Sequence, residues 1–272
     1  MSLKLDTIGF WSEIKHDILR EYAQAYSRIL TAKKLHHVYI DAFAGAGKHF
    51  SQRTGQLTAG SPRIALAIVP PFKEYFFIDI DKSKVAELQR IAQDRPEVHV
   101  FEGDCNEILI SEIFPKIEYK EYRRGLCLLD PYGLHLDWKV IKTAGEMKTI
   151  DVFVNFPLAD INRNVLWRSV DGVDETDILR MNTYWGDESW KSIAYTKISS
   201  LFGWDMLLKE SNKTIAQAFR TRLIEAAGFA YVSKPLPMRN SRDSIIYYLF
   251  FASQQQVALK IIRDIFGKYM RW

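Results

Sequence analysis

The chain has 272 residues, of which 47% are hydrophobic and 26% charged, with a formal net charge of +4. This is the balance of a globular protein with a sizeable core, and it excludes a disordered or low-complexity chain. No apolar run approaches the ~18 residues of a membrane span, and so small a positive charge permits an anionic partner without requiring one.

Residues 9–35 predict a helix, with Ile14, Ile18, Tyr22, Ala25 and Ile29 near the helical period, covering one face of a sheet. A first strand over 38–43 runs into Asp41-Ala42-Phe43-Ala44-Gly45-Ala46-Gly47, a turn ending in two glycines one residue apart. Such a turn leaves bare backbone that a ligand can approach. Residues 48–60 are polar and glycine-containing and predict a long loop at the turn. Ser61-Pro62 reads as the cap and first residue of a helix to about Val69, which Pro70-Pro71 ends.

Glu74–Asp79 is a near-continuously apolar second strand, and Asp81 caps a helix with Val85, Leu88 and Ile91 inside. Val98–Phe101 is a third strand, followed by Gly103-Asp104-Cys105 and a short helix to about 114. Gly125–Asp130 is a fourth strand, leading into Pro131-Tyr132-Gly133, and a helix over 136–147 precedes a fifth strand, Ile150–Asn155. Uniformly apolar strands alternating with helices are the pattern of a parallel sheet buried on both faces.

Residues 159–210 break this rhythm. They hold Trp167, Trp185, Trp190 and Trp204, many polar residues and no clean strand. They read as an insertion within a single domain over 1–272, for substrate recognition or partner contact. Arg163 and Arg168 are candidates to pair with a nucleic acid, although each tryptophan is better explained as local core. A helix over 214–227 follows, then two strands, 229–233 and 244–251, joined by a basic loop over 234–242 as an antiparallel pair. Ser253 and Gln256 form a capping box for a last helix over about 254–266.

Cys105 and Cys127 lie in or beside apolar runs and the six histidines are scattered. A reduced, cytoplasmic protein is therefore expected, with neither disulfide nor metal site and no membrane association. Charges throughout residues 1–30 argue against a signal peptide.

In a doubly wound sheet, ligands bind outside the carboxyl ends of the strands. Gly45 and Gly47 follow the first such end, Asp79 closes the second, Asp104 follows the third, Asp130 closes the fourth and Asn155 the fifth. A carboxylate after the second strand can accept both hydroxyls of a ribose, and one after the third can accept an adenine amine. The set suits an adenosine ligand with a compact tail. The competing glycine loops fail. A P-loop needs glycine at 42 and Ser or Thr at 49, which are Ala42 and His49. A dinucleotide fingerprint needs Gly or Ala at 50, which is Phe50, and this disfavours a nicotinamide dehydrogenase.

On these residues the chain resembles the class I S-adenosylmethionine-dependent methyltransferases, over roughly 38–158 in motifs and 214–266 in topology. The resemblance implies a Rossmann-like α/β fold: a mostly parallel seven-stranded sheet, an antiparallel last strand, helices on both faces and an insertion after the fifth strand. It also implies S-adenosylmethionine as cofactor, held by Asp41, Phe43, Ala44, Gly45, Gly47, Asp79, Asp104 and Cys105. A narrower likeness is to the three-Cys-motif partner (TcmP) family, carried by Asp-x-Phe-Ala-Gly-x-Gly, Gly60-Ser61-Pro62 and Leu129-Asp130-Pro131-Tyr132-Gly133. It implies association with a separate protein bearing three cysteines. This chain has Gly-Ala-Gly where that family is expected to read Gly-Pro-Gly.

Asp130-Pro131-Tyr132 stands where amino-methyltransferases carry Asp/Asn-Pro-Pro-aromatic, and these three are the candidate catalytic residues. A carboxylate and a backbone carbonyl can localise the lone pair of an exocyclic base amine, and an aromatic ring can stack the base. Transfer then needs mainly alignment. The second proline is missing, so a plain turn competes with this reading. Cys127 precedes Asp130 inside the strand and reads as core, against a cysteine nucleophile. Asn155-Phe156-Pro157 reads as a pocket edge or a turn. The leading expectation is a nucleic-acid methyltransferase. The alternative is a cofactor-binding, catalytically weak partner subunit.

Overall fold

The structure is a computed structural model that describes residues 6–167, 172–199 and 205–270. Arg168 and Trp204 lie outside the described residues. In chain order the elements begin with β1 (Thr7–Ile8), α1 (Phe10–Ala32), β2 (His36–Asp41), β3 (Lys48–Ser51), β4 (Leu57–Ala59), α2 (Ser61–Leu66) and β5 (Glu74–Asp79). There follow α3 (Lys82–Ala92), β6 (Val98–Glu102), α4 (Cys105–Ile108), β7 (Arg123–Leu129), α5 (Trp138–Met147), β8 (Ile150–Phe156) and α6 (Leu158–Asn164). The rest are α7 (Glu175–Trp185), α8 (Trp190–Ala194), β9 (Tyr195–Ser199), β10 (Asp205–Lys209), α9 (Asn212–Glu225), β11 (Tyr231–Val232), β12 (Leu236–Arg239), β13 (Ile245–Ser253) and α10 (Gln256–Tyr269).

The main sheet runs β11-β13-β8-β7-β2-β5-β6, with β12 also on β13. The strands from β6 to β8 are parallel, and β13 is antiparallel to β8 and to β11. Alternate strand residues feed two cores. Val38, Ile40, Val152, Val154 and Phe250 pack under α5 to α9. Tyr39, Leu126, Leu128, Phe153 and Phe251 pack under α1, α2 and α10. Burial on both faces is why the strands read as continuous apolar runs.

Several expectations are corrected. The main sheet has eight strand segments, not seven. The basic loop over 234–242 contains β12, which pairs Leu236 with Leu249 beside β11 on the same edge of β13. Pro235 and Pro237 suggested a loop, but prolines are tolerated on an edge strand, where no partner needs their missing donor. The expected loop over 48–60 is the β3–β4 hairpin, and β1 joins it in parallel, Thr7 opposite Phe50. The region 159–210 does contain strands: β9 and β10 form an antiparallel hairpin.

Gly60, not Ser61, caps α2. The Ser253–Gln256 box does not form, because Ser253 is still paired to Tyr231 within the sheet and the helix cap falls at Gln255. The buried face of α1 is also rotated from the expected stripe. It comprises Lys15, His16, Ile18, Leu19, Tyr22, Ala23, Tyr26 and Ser27. Trp185 and Trp190 are fully buried core, whereas Trp167 is exposed. Among the described residues no helix is long and apolar enough to cross a membrane.

Candidate active site

The carboxyl ends of β2, β5, β6, β7 and β8 converge on one side of the sheet. The turn after β2 is wedged between its neighbours: the Ala42 amide donates to the Leu128 carbonyl at 3.1 Å and the Ala44 amide to Ile78 at 2.9 Å. Gly45 and Gly47 take φ of +63° and +69°, a conformation that a β-carbon resists. The Gly45 amide donates to Asp79 Oδ2 at 2.8 Å, and the Asp81 amide to Asp79 Oδ1 at 2.9 Å. The carboxylate that closes β5 thus fixes both its own exit and the glycine turn.

Two cavities open here. The first, about 720 Å³, is lined by Ala42 and Phe43, by Asp79 to Asp81, and by Gly103 to Asn106 after β6. Leu134, His135 and Asp137 form another wall, and Thr176, Leu179, Arg180 and Thr183 of α7 close it. Asp104 caps α4, its Oδ1 accepting the Asn106 amide at 2.8 Å and the Asn106 side chain at 3.0 Å. Asn106 also donates to the His135 carbonyl and accepts the Asp137 amide, which ties the β6 exit to the segment after β7. Ile80 and Leu179 lie on the lining with 76% and 62% of their surface exposed. Large apolar side chains left open at a cavity rim are the surface a flat ligand covers. Burial pushes the Cys105 thiol up to about 12, so it contributes packing rather than a thiolate.

The second cavity, about 380 Å³, adjoins the first, and Phe43 and Tyr132 line both. Ala44, Gly45, Asp130, Pro131 and Asn155 line it, together with Lys15 and His16 of α1, His49, Asp160, Arg163 and Tyr247. Lys15 Nζ is bonded to Asp130 Oδ2, and Asn155 Nδ2 to Asp130 Oδ1, so both oxygens of this carboxylate are engaged. Lys15 also lies 5.7 Å from the centre of the Tyr247 ring. The His16 and His49 rings stack with centroids 5.7 Å apart. Burial, with help from the Lys15 charge, holds both imidazoles below their usual range and therefore neutral near pH 7. Tyr132 is exposed at the mouth, where its hydroxyl donates to Asp6 at 3.1 Å.

Of the residues singled out from sequence, Phe43, Asp79, Asp104, Cys105 and Tyr132 line the first cavity. Phe43, Ala44, Gly45, Asp130, Pro131 and Tyr132 line the second. Asp41 and Gly47 line neither. Asp41 is fully buried at the end of β2, where burial, with the nearby Asp130 charge, pushes its carboxyl up to about 7, and its Oδ2 accepts the Tyr39 hydroxyl at 3.3 Å. Gly47 packs beneath the turn, its carbonyl accepting the Gly60 amide at 3.0 Å. Lys15, His16, His49 and Tyr247 were not anticipated. One signal was available: Lys15 falls three and four residues before Ile18 and Leu19, on the face those residues bury.

No family model matches the sequence, and no curated protein matches it. Among solved structures the chain is similar to protein LPL1258 from Legionella pneumophila str. Philadelphia 1. The two share 12% identity across 96% of this chain and 93% of that chain, with a TM-score of 0.51. At that identity the likeness establishes the fold alone: α/β, with a mostly parallel sheet between helices. More distant overlaps are with the N-methyltransferase NodS from Bradyrhizobium japonicum WM9, in complex with S-adenosyl-L-homocysteine (10% identity, 91% and 89% covered, TM-score 0.40), and with Trm5b from Pyrococcus abyssi (13%, 85% and 48%, 0.35). These two overlaps carry no weight for function.

Proposed function

We propose that this chain is an S-adenosylmethionine-dependent methyltransferase acting on a nucleic acid, with an exocyclic base amine as acceptor. The observation that carries the reading is the junction of the two cavities at Phe43 and Tyr132. One cavity has the features of an adenosine site and the other holds Asp130-Pro131-Tyr132.

The first cavity fits the cofactor. Asp79 stands where ribose hydroxyls can donate to it, Asp104 lies on the next strand exit, and Ile80 and Leu179 can cover the faces of a base. Ala44 and Gly45, next to Phe43 in the chain, line the second cavity. When bound, S-adenosylmethionine supplies an electrophilic methyl group. The chain's own residues do the rest. Tyr132 stacks the acceptor base and Asp130 orients its amine. On methylation the amine would give up one proton, which Asp130 would accept and pass to solvent. Neutral His16 and His49 keep added positive charge out of the same cavity.

A second reading is favoured by the occupied Asp130 carboxylate and the missing second proline. In it the chain is a member of the TcmP family that binds cofactor but transfers little on its own, working with a separate cysteine-motif protein. Transfer of labelled methyl from S-adenosylmethionine to RNA and DNA by the isolated chain separates the two. Label in nucleic acid that is lost in Asp130→Ala is expected. Absence of label, with cofactor binding intact, would hand the site to the second reading.

A further inference from the structure

A third cavity, about 240 Å³, opens at the amino ends of β7 and β8, the sheet edge opposite the two cavities described above. Three cations meet on its lining: Lys33 at the C-cap of α1, Arg124 of β7 and Lys148 at the C-cap of α5. None of the three has an ion-pair partner among the described residues, and Arg124 is instead held by the Tyr119 ring, 4.3 Å from its centre, and by donating to the Arg123 carbonyl at 2.7 Å. A guanidinium has five donors, so most of them stay available.

The start of α10 adds donors that lack acceptors. Its first amides, Gln256 and Val257, have no partner among the described residues, and no side chain caps the helix at Gln255. Gln255, Val257 and Ala258 line the cavity. An open helix N-terminus carries partial positive charge and favours an anion. Tyr26 is a separate and independent sign. It lines the same cavity and is only 8% exposed, yet its hydroxyl makes no hydrogen bond among the described residues. A buried hydroxyl is ordinarily paired. The one carboxyl on the lining, Asp151, pairs with none of the cations; its Oδ2 accepts the Tyr22 hydroxyl at 2.7 Å. Ile29, Leu30 and Ile261 supply an apolar wall.

We propose that this third cavity binds a compact organic anion, an apolar body that ends in a carboxylate. Arg124 and the α10 amides hold the carboxylate, the Tyr26 hydroxyl donates to it, and Lys33 and Lys148 add positive charge around it. Ile29, Leu30 and Ile261 cover the body. The volume lies below the ~300–1,000 Å³ of sites for drug-sized ligands, so the body is about one ring or a short alkyl chain. The site does not depend on the methyl-transfer reading and is separated from that chemistry by the length of β7 and β8.

The test is methyl NMR of the isotopically labelled full chain, titrated with phenylacetate, hexanoate, the neutral amides of both acids, and inorganic phosphate. Wild type, Arg124→Gln and Tyr26→Phe are compared, each checked for cooperative melting. The expected result is saturable shifts at Ile29, Leu30 and Ile261 with at least one of the acids, about tenfold tighter than with its amide. Arg124→Gln should weaken that acid by about tenfold and Tyr26→Phe by about fivefold. Tyr26→Phe should also leave the melting temperature unchanged, because the hydroxyl it removes has no partner in the free protein. That variant keeps the ring, so the test stands even where Arg124→Gln fails to fold. Absence of shifts at these methyls, equal affinity for acid and amide, inorganic phosphate binding as tightly as the acids, or unchanged affinity in Tyr26→Phe would overturn the proposal.

Discussion

Asp79 accepts the Gly45 amide at 2.8 Å, so the end of β5 and the turn after β2 hold one another. The same carboxylate takes the Asp81 amide at 2.9 Å, just before α3. Removing it in Asp79→Ala leaves two backbone donors without their charged acceptor, at a cost of about 1–2 kcal/mol. At roughly 2–4 °C per kcal/mol for a domain of this size, the ligand-free variant should melt several degrees below wild type. An unchanged melting temperature would show that the turn does not depend on Asp79.

Gly47 has φ of +69°, and a β-carbon there would come within 2.9 Å of Ile91 Cδ1. Gly47→Ala should cost about 1–2 kcal/mol from the backbone conformation alone. Because Gly47 lines neither cavity, its effect should appear in denaturant midpoint more than in cofactor affinity. A large affinity loss at unchanged stability would contradict the placement.

Asp41 lies buried with its carboxyl pushed from 3.8 up to about 7. The folded state therefore binds this proton more tightly than the unfolded chain does. Between about pH 4 and pH 7 the unfolded state releases it first, so this group's contribution to stability falls as pH rises through that window. Asp41→Asn cannot ionise. Relative to wild type, the variant should gain stability on moving from pH 4.5 to pH 8, as read by urea unfolding at each pH. A difference between the two proteins that stays constant with pH would refute a raised Asp41.

The Lys15–Asp130 pair joins α1 to the end of β7, and the Lys15 side chain is only 8% exposed. Lys15→Met leaves a partly buried carboxylate unpaired, and the cost should approach the roughly 3 kcal/mol typical of breaking such pairs. Asp130→Asn in the same chain removes the stranded charge and should restore most of the loss. Additive single-variant effects in a double-mutant cycle would show that the pair is not coupled.

Much of the sheet was legible because β2, β5, β7 and β8 are buried on both faces and their apolar runs end in turn chemistry. The Asp81 cap was legible for a local reason: Ser83 and Lys84 amides lie two and three residues away. What sequence concealed was non-local. The β3–β4 hairpin is polar, and its outer partner is the distant Thr7–Ile8. β12 hid behind two prolines that an edge strand tolerates. Lys15 meets Asp130 across 115 positions, and a stripe counted from apolar residues alone passes over a lysine on the buried face. Tyr247 read as ordinary strand core because nothing local distinguishes a hydroxyl that faces a cavity.

The central claim is that Asp79 and the first cavity hold the cofactor. Calorimetric titration of S-adenosylmethionine and S-adenosylhomocysteine into wild type and Asp79→Ala tests it most directly. The account requires binding by wild type and about a 10- to 100-fold loss in the variant, the worth of hydrogen bonds to a charged carboxylate. No heat of binding to wild type, or equal affinity in the two proteins, would contradict it.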